Sequence, residues 1–367
     1  MNPAPRDVLI LSRIPGVGSA RLRGLIARFG SAGAVAAAHA ASLCAVEGIE
    51  EKTASSIRAF FRSGAAADAA RFADSQAERA ARAAASLVTL WDPAYPPLLK
   101  NIYDPPPLLF VRGVLTAVDE GAVAVVGTRR PSAYGIVMAE RLAGSLAASG
   151  ITVASGLARG IDAAAHASAL RAGGRTLAVI GSGLDVMYPA EHRTLAERIC
   201  AAGAVISELP FGSSPDAANF PRRNRIVSGM TLATVVVETA PAGGAMITAA
   251  MALEEGREVF AVPSAVAPQR ASGTNRLIRD GKAKLTECVE DIFAEIAPRL
   301  SPRHVPAPGA PTLFEQPVLD ALTGEPLHVD LVAARAHIAV PEALARLLAL
   351  EFKGAVRQMP GKRFVRL

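Results

Sequence analysis

The chain of 367 residues has little cysteine: Cys44, Cys200 and Cys288 are far apart and odd in number. That spacing offers no disulfide framework and no metal motif, and it leads us to expect a reducing cytoplasm. No stretch of about 18 apolar residues free of charge occurs, so no membrane span is expected. The opening MNPAPRDVLILSRIPG lacks a long apolar segment and a small-residue cleavage site, so no signal peptide is expected. A G-x-G-x-x-G fingerprint is missing, and so is a Walker A loop with its Lys-Ser/Thr. Those absences argue against a dinucleotide and against P-loop hydrolysis. No Ser-His-Asp or Cys-His order stands out, and neither a cofactor nor a metal is expected.

Lysine is scarce too, and the basic side is mostly arginine. The net charge of +6 and pI near 9.5 suit a polyanion partner, but a bias toward Arg and Ala accounts for them equally well. Where the arginines sit matters more than their number. Hydrophobic content of 51% is enough for real cores, and the length favours two or three domains.

Residues 1–80 read as helical. In IPGVGSARLRGLIARFG a Gly-rich turn precedes Leu22, Leu25, Ile26 and Phe29 at helical spacing. VEGIEEKTASSIRAF repeats the idea with Gly48-Ile49. The pair resembles a helix-hairpin-helix or SAM-like bundle. Its turns could offer backbone N–H groups to a phosphate, or the bundle could serve only for packing.

Residues 83–297 alternate strand and helix. AVAVVGTRRP, ITVASGLARGID, RTLAVIGSGLD, AVISELP, ATVVVETA and EVFAVP are apolar runs separated by helical stretches. Continuous apolar strands of this kind predict a parallel, doubly wound α/β sheet. The Pro-rich stretch 87–113 should add a strand or two at an edge. Residues 298–316 read as a Pro-rich linker. Residues 317–367 give three helices and then a hairpin around Pro360-Gly361, the winged-helix order, with Lys362, Arg363 and Arg366 on the wing.

Open parallel sheets bind ligands outside the carboxyl ends of their strands. Here those ends read GTRR, SGLARG, GSGLD, SELP with FPRRNR, and ETAPAGG. Glycines admit a close ligand, and helix N-termini favour negative charge. The candidate phosphate-binding residues are Gly127, Arg129, Ser155, Gly156, Arg159, Gly160, Gly181, Ser182, Phe220, Arg222, Arg223, Asn224 and Arg225. Three guanidiniums within four residues of FPRRNR need an anion, either a ligand or Glu208 and Glu238. Phe220 beside them could stack on a base, as in single-strand binders, or anchor the core. Asp162 and Asp185 fit helix caps and local ion pairs better than catalysis. His166, one turn past Asp162, reads as structural.

VGTRRPSAYG, SGLARGIDAAAHASAL, GSGLDVMYPAEHRTL, ISELPFG, FPRRNRIVSGM, VVVETAPAGGAMITAAMALEEGREVFAVP and SGTNRLIRDG occur in this order. Together they resemble the DNA-processing protein A (DprA/Smf) family over most of residues 87–295. That resemblance implies a Rossmann-like domain that binds single-stranded DNA and forms a homodimer. It implies no enzyme activity, and it implies loading of a RecA-type recombinase onto incoming strands in natural transformation. It places the phosphate pocket at Arg129, Ser155–Gly160 and Phe220–Arg225. Ser264 and the PAGGAM turn depart from the family's usual pattern. On this reading, glutamates at Arg223 and Arg225 should abolish binding and spare the fold. Two alternatives remain. A nucleotide phosphoribohydrolase is loosely similar around ETAPAGGAMITAAMALEEG but lacks the Gly-Thr-x-x-Glu that would follow. A duplex-binding architectural protein would use the flanking domains instead.

Overall fold

The computed structural model describes residues 2–265, 272–300, 315–323, 325–352, 355–359 and 361–366. The chain forms two compact units, one through His304 and one from Val305.

The first unit opens with six helices, α1 (Pro5–Leu11), α2 (Ser19–Phe29), α3 (Ala32–Ala37), α4 (Ala40–Cys44), α5 (Glu51–Arg62) and α6 (Gly64–Arg82). Gly16 at φ 79° and Gly48 at φ 76° take left-handed turns ahead of α2 and α5, a region glycine enters without penalty. Arg21 of α2 holds both turns, donating to the carbonyls of Gly16 at 2.6 Å and Gly48 at 2.7 Å. Leu25, Leu43 and Ile57 of this bundle share one core with Phe110 and Leu184 of the sheet region. The boundary expected near residue 80 is therefore a change of architecture inside one continuous core.

Strands and helices then alternate: β1 (Ala85–Thr89), α7 (Pro97–Lys100), β2 (Leu108–Gly113), β3 (Val123–Val126), α8 (Ala133–Ala148), β4 (Val153–Ser155), α9 (Ile161–Arg171) and β5 (Thr176–Val179). They continue as α10 (Arg193–Ala202), β6 (Ala204–Ser207), α11 (Asn219–Gly229), β7 (Ala233–Val236), α12 (Gly244–Glu254), β8 (Glu258–Ala261), α13 (Ser272–Arg279), β9 (Lys284–Leu285) and α14 (Val289–Ile296). The sheet order is β1-β2-β6-β5-β4-β3-β7-β8-β9. From β6 to β9 every pairing is parallel. Strands β1 and β2 join antiparallel at the β6 side, so the sheet is mostly parallel with an antiparallel edge.

Strands β3 to β7 are buried along their whole length, which is why they read as unbroken apolar runs. One face packs under Leu142 and Leu146 of α8, Ala165 of α9 and Ile292 of α14. The other packs under Ile226 of α11, Ala249 of α12 and Leu277 of α13. The chain moves from β3 outward through β4, β5 and β6, then returns to the other side of β3 as β7. Helix α8 after β3 and α12 after β7 consequently lie on opposite faces. The crevice between them is a topological switch point.

The second unit contains α15 (Gln316–Asp320), β10 (Leu327–His328), α16 (Val329–Arg335), α17 (Val340–Phe352), β11 (Val356–Met359) and β12 (Arg363–Arg366). Its three-stranded sheet has the order β10-β12-β11. Val318, Leu322, Val332, Leu347 and Phe364 form its own core. The sequence reading missed β10, since two residues carry no period. Pro360 and most of the expected linker, residues 301–314, lie outside the described residues. No helix among the described residues is long and apolar enough to cross a membrane.

Candidate nucleic-acid interface

A cavity of about 850 Å³ opens at the switch point, outside the carboxyl ends of β3, β4 and β7. Its walls are Gly127–Arg130 after β3, Gly156 and Ala158 after β4, Phe220, Arg223 and Asn224 of α11, and Gly243–Ala245 at the start of α12. A smaller space of about 30 Å³ adjoins it, lined by Arg159, Gly181, Tyr188 and Phe220.

Arg223 is 5% exposed and lies under the loop that follows β4. One of its guanidinium nitrogens, Nη1, donates to the Val179 carbonyl. Its Nε has no hydrogen-bond partner. The loop is tied down by Asp162, which accepts from the Gly156 and Ala158 amides at 3.1 and 3.3 Å. Burial lowers the Arg223 pKa to about 10 while the Asp162 charge opposes that shift. Burial likewise raises Asp162, opposed by Arg223. The guanidinium remains charged at neutral pH. A methyl added at Gly156 would lie 2.4 Å from the Arg223 Nη1. Only glycine lets this arginine reach the loop.

Arg129 and Arg130 are exposed at the mouth and have no ion-pair partner among the described residues. The Arg129 guanidinium carbon lies 5.0 Å from the centre of the Phe220 ring, within cation–π range. The Tyr188 ring lies 5.6 Å from Phe220 at an interplanar angle of 46°. Phe220 is half-buried, so it is neither a core anchor nor a free platform. Its ring crosses the glycine face of Gly181, where a Cβ would come within 3.3 Å.

The three arginines of FPRRNR do not share one site. Arg225 points away from the cavity into an ion pair with Glu208 at 2.5 Å and a longer one with Asp104 at 3.7 Å. Arg222 bonds the other Glu208 oxygen at 3.3 Å. It lines a separate groove of about 330 Å³ with Arg13 and the start of α2. Helical periodicity causes the split: successive residues of α11 point about 100° apart. Two of the three positive charges thus find the anion within the protein. Glutamates at Arg223 and Arg225 would then disturb buried groups, contrary to the expectation that the fold is spared.

Other expected residues have local tasks. The hydroxyl of Ser155 donates to the Val125 carbonyl and that of Ser182 to the Val186 carbonyl. Gly160, at φ 78°, lies against the Thr128 carbonyl. Arg159 pairs with Glu191 at 2.5 Å, and the bond holds Glu191 down near pKa 2. Asp185 accepts from Arg79 and from the Gly212 amide. His166 is buried against the Thr176 hydroxyl and held neutral. Glu238 accepts from the Ser132 amide and hydroxyl beside the α8 N-terminus.

Arg130, Tyr188 and the α12 N-terminus at Gly243–Ala245 were not singled out from the sequence. Arg130 had a signal, since it adjoins Arg129 in GTRR. Tyr188 had none: it comes from the loop after β5 and meets Phe220 only in the fold.

The model for DNA recombination-mediator protein A matches residues 86–297 of the chain. The chain belongs to this family. A SAM-like helix-hairpin-helix tandem matches residues 8–63 and the DprA winged helix domain matches residues 302–362. The Smf protein of Synechocystis is 38% identical over 313 residues, 75% of this chain and 78% of that protein. The Smf protein of Escherichia coli is 40% identical over 283 residues, 74% and 75% of the two chains. Among solved structures, DprA of Streptococcus pneumoniae has a TM-score of 0.69 at 31% identity, covering 80% of this chain and 99% of that one. DNA processing protein A of Helicobacter pylori, described with a unique single-stranded DNA binding mode, has a TM-score of 0.54 at 26% identity. That match covers 59% of this chain and 97% of the other. DNA recombination-mediator protein A is thus a DNA-processing family, and in this member the cavity lies wholly within the matched segment.

Proposed function

We propose that the switch-point cavity binds the phosphate backbone of single-stranded DNA, and that the protein brings a RecA-type recombinase onto that strand. One observation carries the reading. Charged Arg223, with an unpartnered Nε, forms the cavity wall, while unpaired Arg129 sits at the mouth over the half-buried Phe220 ring. Phosphates would lie along Arg129, Arg130 and the α12 N-terminus, where helix N–H groups favour anions. A base would meet the Phe220–Tyr188 pair. The acids nearby, Asp162 and Glu238, are engaged by backbone amides, which favours holding a ligand over cleaving it. The single-strand binding described for the Helicobacter pylori relative supports this reading, and the family's recombination-mediator description supports the recombinase step.

Two copies would pair through the sheet unit, where Val137 of α8 and Leu285 of β9 are 59% and 48% exposed. The expected setting is the uptake and processing of incoming DNA in the cytoplasm. Fluorescence anisotropy with a labelled mixed-sequence strand and the matching duplex, over a salt series, tests the reading. It predicts strand-selective, salt-steep binding. Equal affinity for strand and duplex would overturn it.

A further inference from the structure

The second unit has an uneven charge distribution that the cavity reading does not use. Of the six Arg and Lys described in residues 315–366, four (Arg357, Lys362, Arg363 and Arg366) lie in the ten positions 357–366. No Asp or Glu falls in those ten positions. All four are exposed, and none has a side-chain hydrogen bond or ion pair among the described residues. The other two cations are engaged. Arg335 donates to the Ala321 carbonyl at 3.3 Å and Arg346 pairs with Glu342.

The strand register sorts the four. Met359 pairs with Arg363 and Arg357 with Val365, so these residues share the sheet face opposite the buried Phe364. His328 of β10 lies across Arg363 on the same face. Lys362 stands at the turn with φ 53°. The outer face of the small sheet therefore carries Arg357 and Arg363, with Lys362 at its turn, while Arg366 falls on the Phe364 side at the end of β12. No Phe, Tyr or Trp is exposed on that outer face, since Phe364 is buried on the other.

The third helix, α17, is the element that helix-turn-helix proteins lay in the major groove. Here its exposed positions among the described residues are Val340, Pro341, Glu342, Ala345 and Leu348. Among the described residues that face offers no free cation, and its one carboxylate, Glu342, is already paired with Arg346. Helix and wing thus reverse the usual division of labour.

We propose that the wing, and not the third helix, binds the phosphate backbone of duplex DNA without reading its sequence. Phosphate contacts position a protein but carry no base information, and cations spread along a turn and its two short strands suit them. Duplex is favoured over single strand because it presents about one charge per 1.7 Å and needs no stacking partner. This inference stands apart from the cavity reading, which concerns the other unit.

The test uses the full chain with Arg357→Gln, Lys362→Gln and Arg363→Gln combined. A second variant, Ala345→Gln with Leu348→Gln, alters the exposed face of α17 and leaves the Arg346–Glu342 pair in place. Affinities for a labelled duplex and for a single strand are measured over a salt series, and thermal melts check folding. Each lost phosphate contact lowers the slope of log K against log salt by about 0.9. The wing variant should therefore lose roughly 3 units of slope on duplex and leave single-strand affinity within about twofold. The α17 variant should bind duplex as the parent does. Unchanged duplex binding by the folded wing variant overturns the proposal. So does a loss confined to the α17 variant, and so does a wing effect seen on anionic vesicles of phosphatidylserine and phosphatidylcholine but not on duplex.

Discussion

An Arg225→Glu substitution places a third carboxylate beside Glu208 and Asp104. The Arg225 and Glu208 side chains are 11% and 8% exposed, so the new charge cannot be hydrated in place. Removing one partner of a buried ion pair costs about 3–5 kcal/mol, because the other charge is left uncompensated. Total stability of a folded protein is only about 5–15 kcal/mol. For a unit that runs to His304 each kcal/mol moves Tm by roughly 1.6 °C. The variant should melt about 5–8 °C below the parent. Arg129→Ala is the contrasting case. It removes an exposed guanidinium and a cation–π contact worth about 0.5–1 kcal/mol, so Tm should move by less than about 2 °C. Its effect falls on binding, with single-strand affinity down about tenfold and the salt slope reduced by about 0.7. Circular dichroism melts measure the first effect, and anisotropy at a temperature where both variants are folded measures the second. An Arg225→Glu protein that melts with the parent yet no longer binds DNA would refute the reasoning, because Arg225 would then face the strand.

Gly156→Ala should displace the Arg223 guanidinium, which lies 2.4 Å from the added methyl position. Single-strand affinity should fall while a Gly64→Ala control, at the start of α6 outside the cavity and with nothing within 4 Å of its added Cβ, binds as the parent. Phe220→Ala should lose about 1–3 kcal/mol of strand affinity and Phe220→Tyr very little; equal losses in a titration would remove the stacking role. His166 is fully buried and its pKa is lowered to about 3 by desolvation, against about 6.5 in an unfolded chain. The unfolded state therefore takes up the proton first. Stability is complete above pH 6.5 and falls as pH drops, by about 2 kcal/mol at pH 5. Urea titrations at pH 7.5 and pH 5 on the parent and on His166→Gln check this, and the variant should lose that part of the difference.

The sheet was legible because its central strands are buried on both faces. Val123–Val126 and Ala233–Val236 read as continuous apolar runs for that reason. The antiparallel edge could be placed from its prolines but not oriented, since strand direction is set by which neighbour completes the hydrogen bonds. Gly127, Arg129, Gly156 and Phe220 were legible as site residues because each stands directly after a strand or opens a helix. Arg222 and Arg225 were grouped with them on the strength of sequence proximity alone. The rotation of α11 turns both Arg222 and Arg225 toward Glu208, on the side away from Arg223 and the cavity.

By itself the sequence determined the alternation of strand and helix, the glycine turns at the strand ends and the family. These rest on local period, on backbone freedom and on motifs in fixed order. Only the tertiary structure decided which arginine lies free and which is neutralised. It also brought Tyr188 to Phe220 and continued the helical bundle and the sheet in one core. Those outcomes depend on residues far apart in the chain meeting at one place, and no spacing along the sequence records such a meeting.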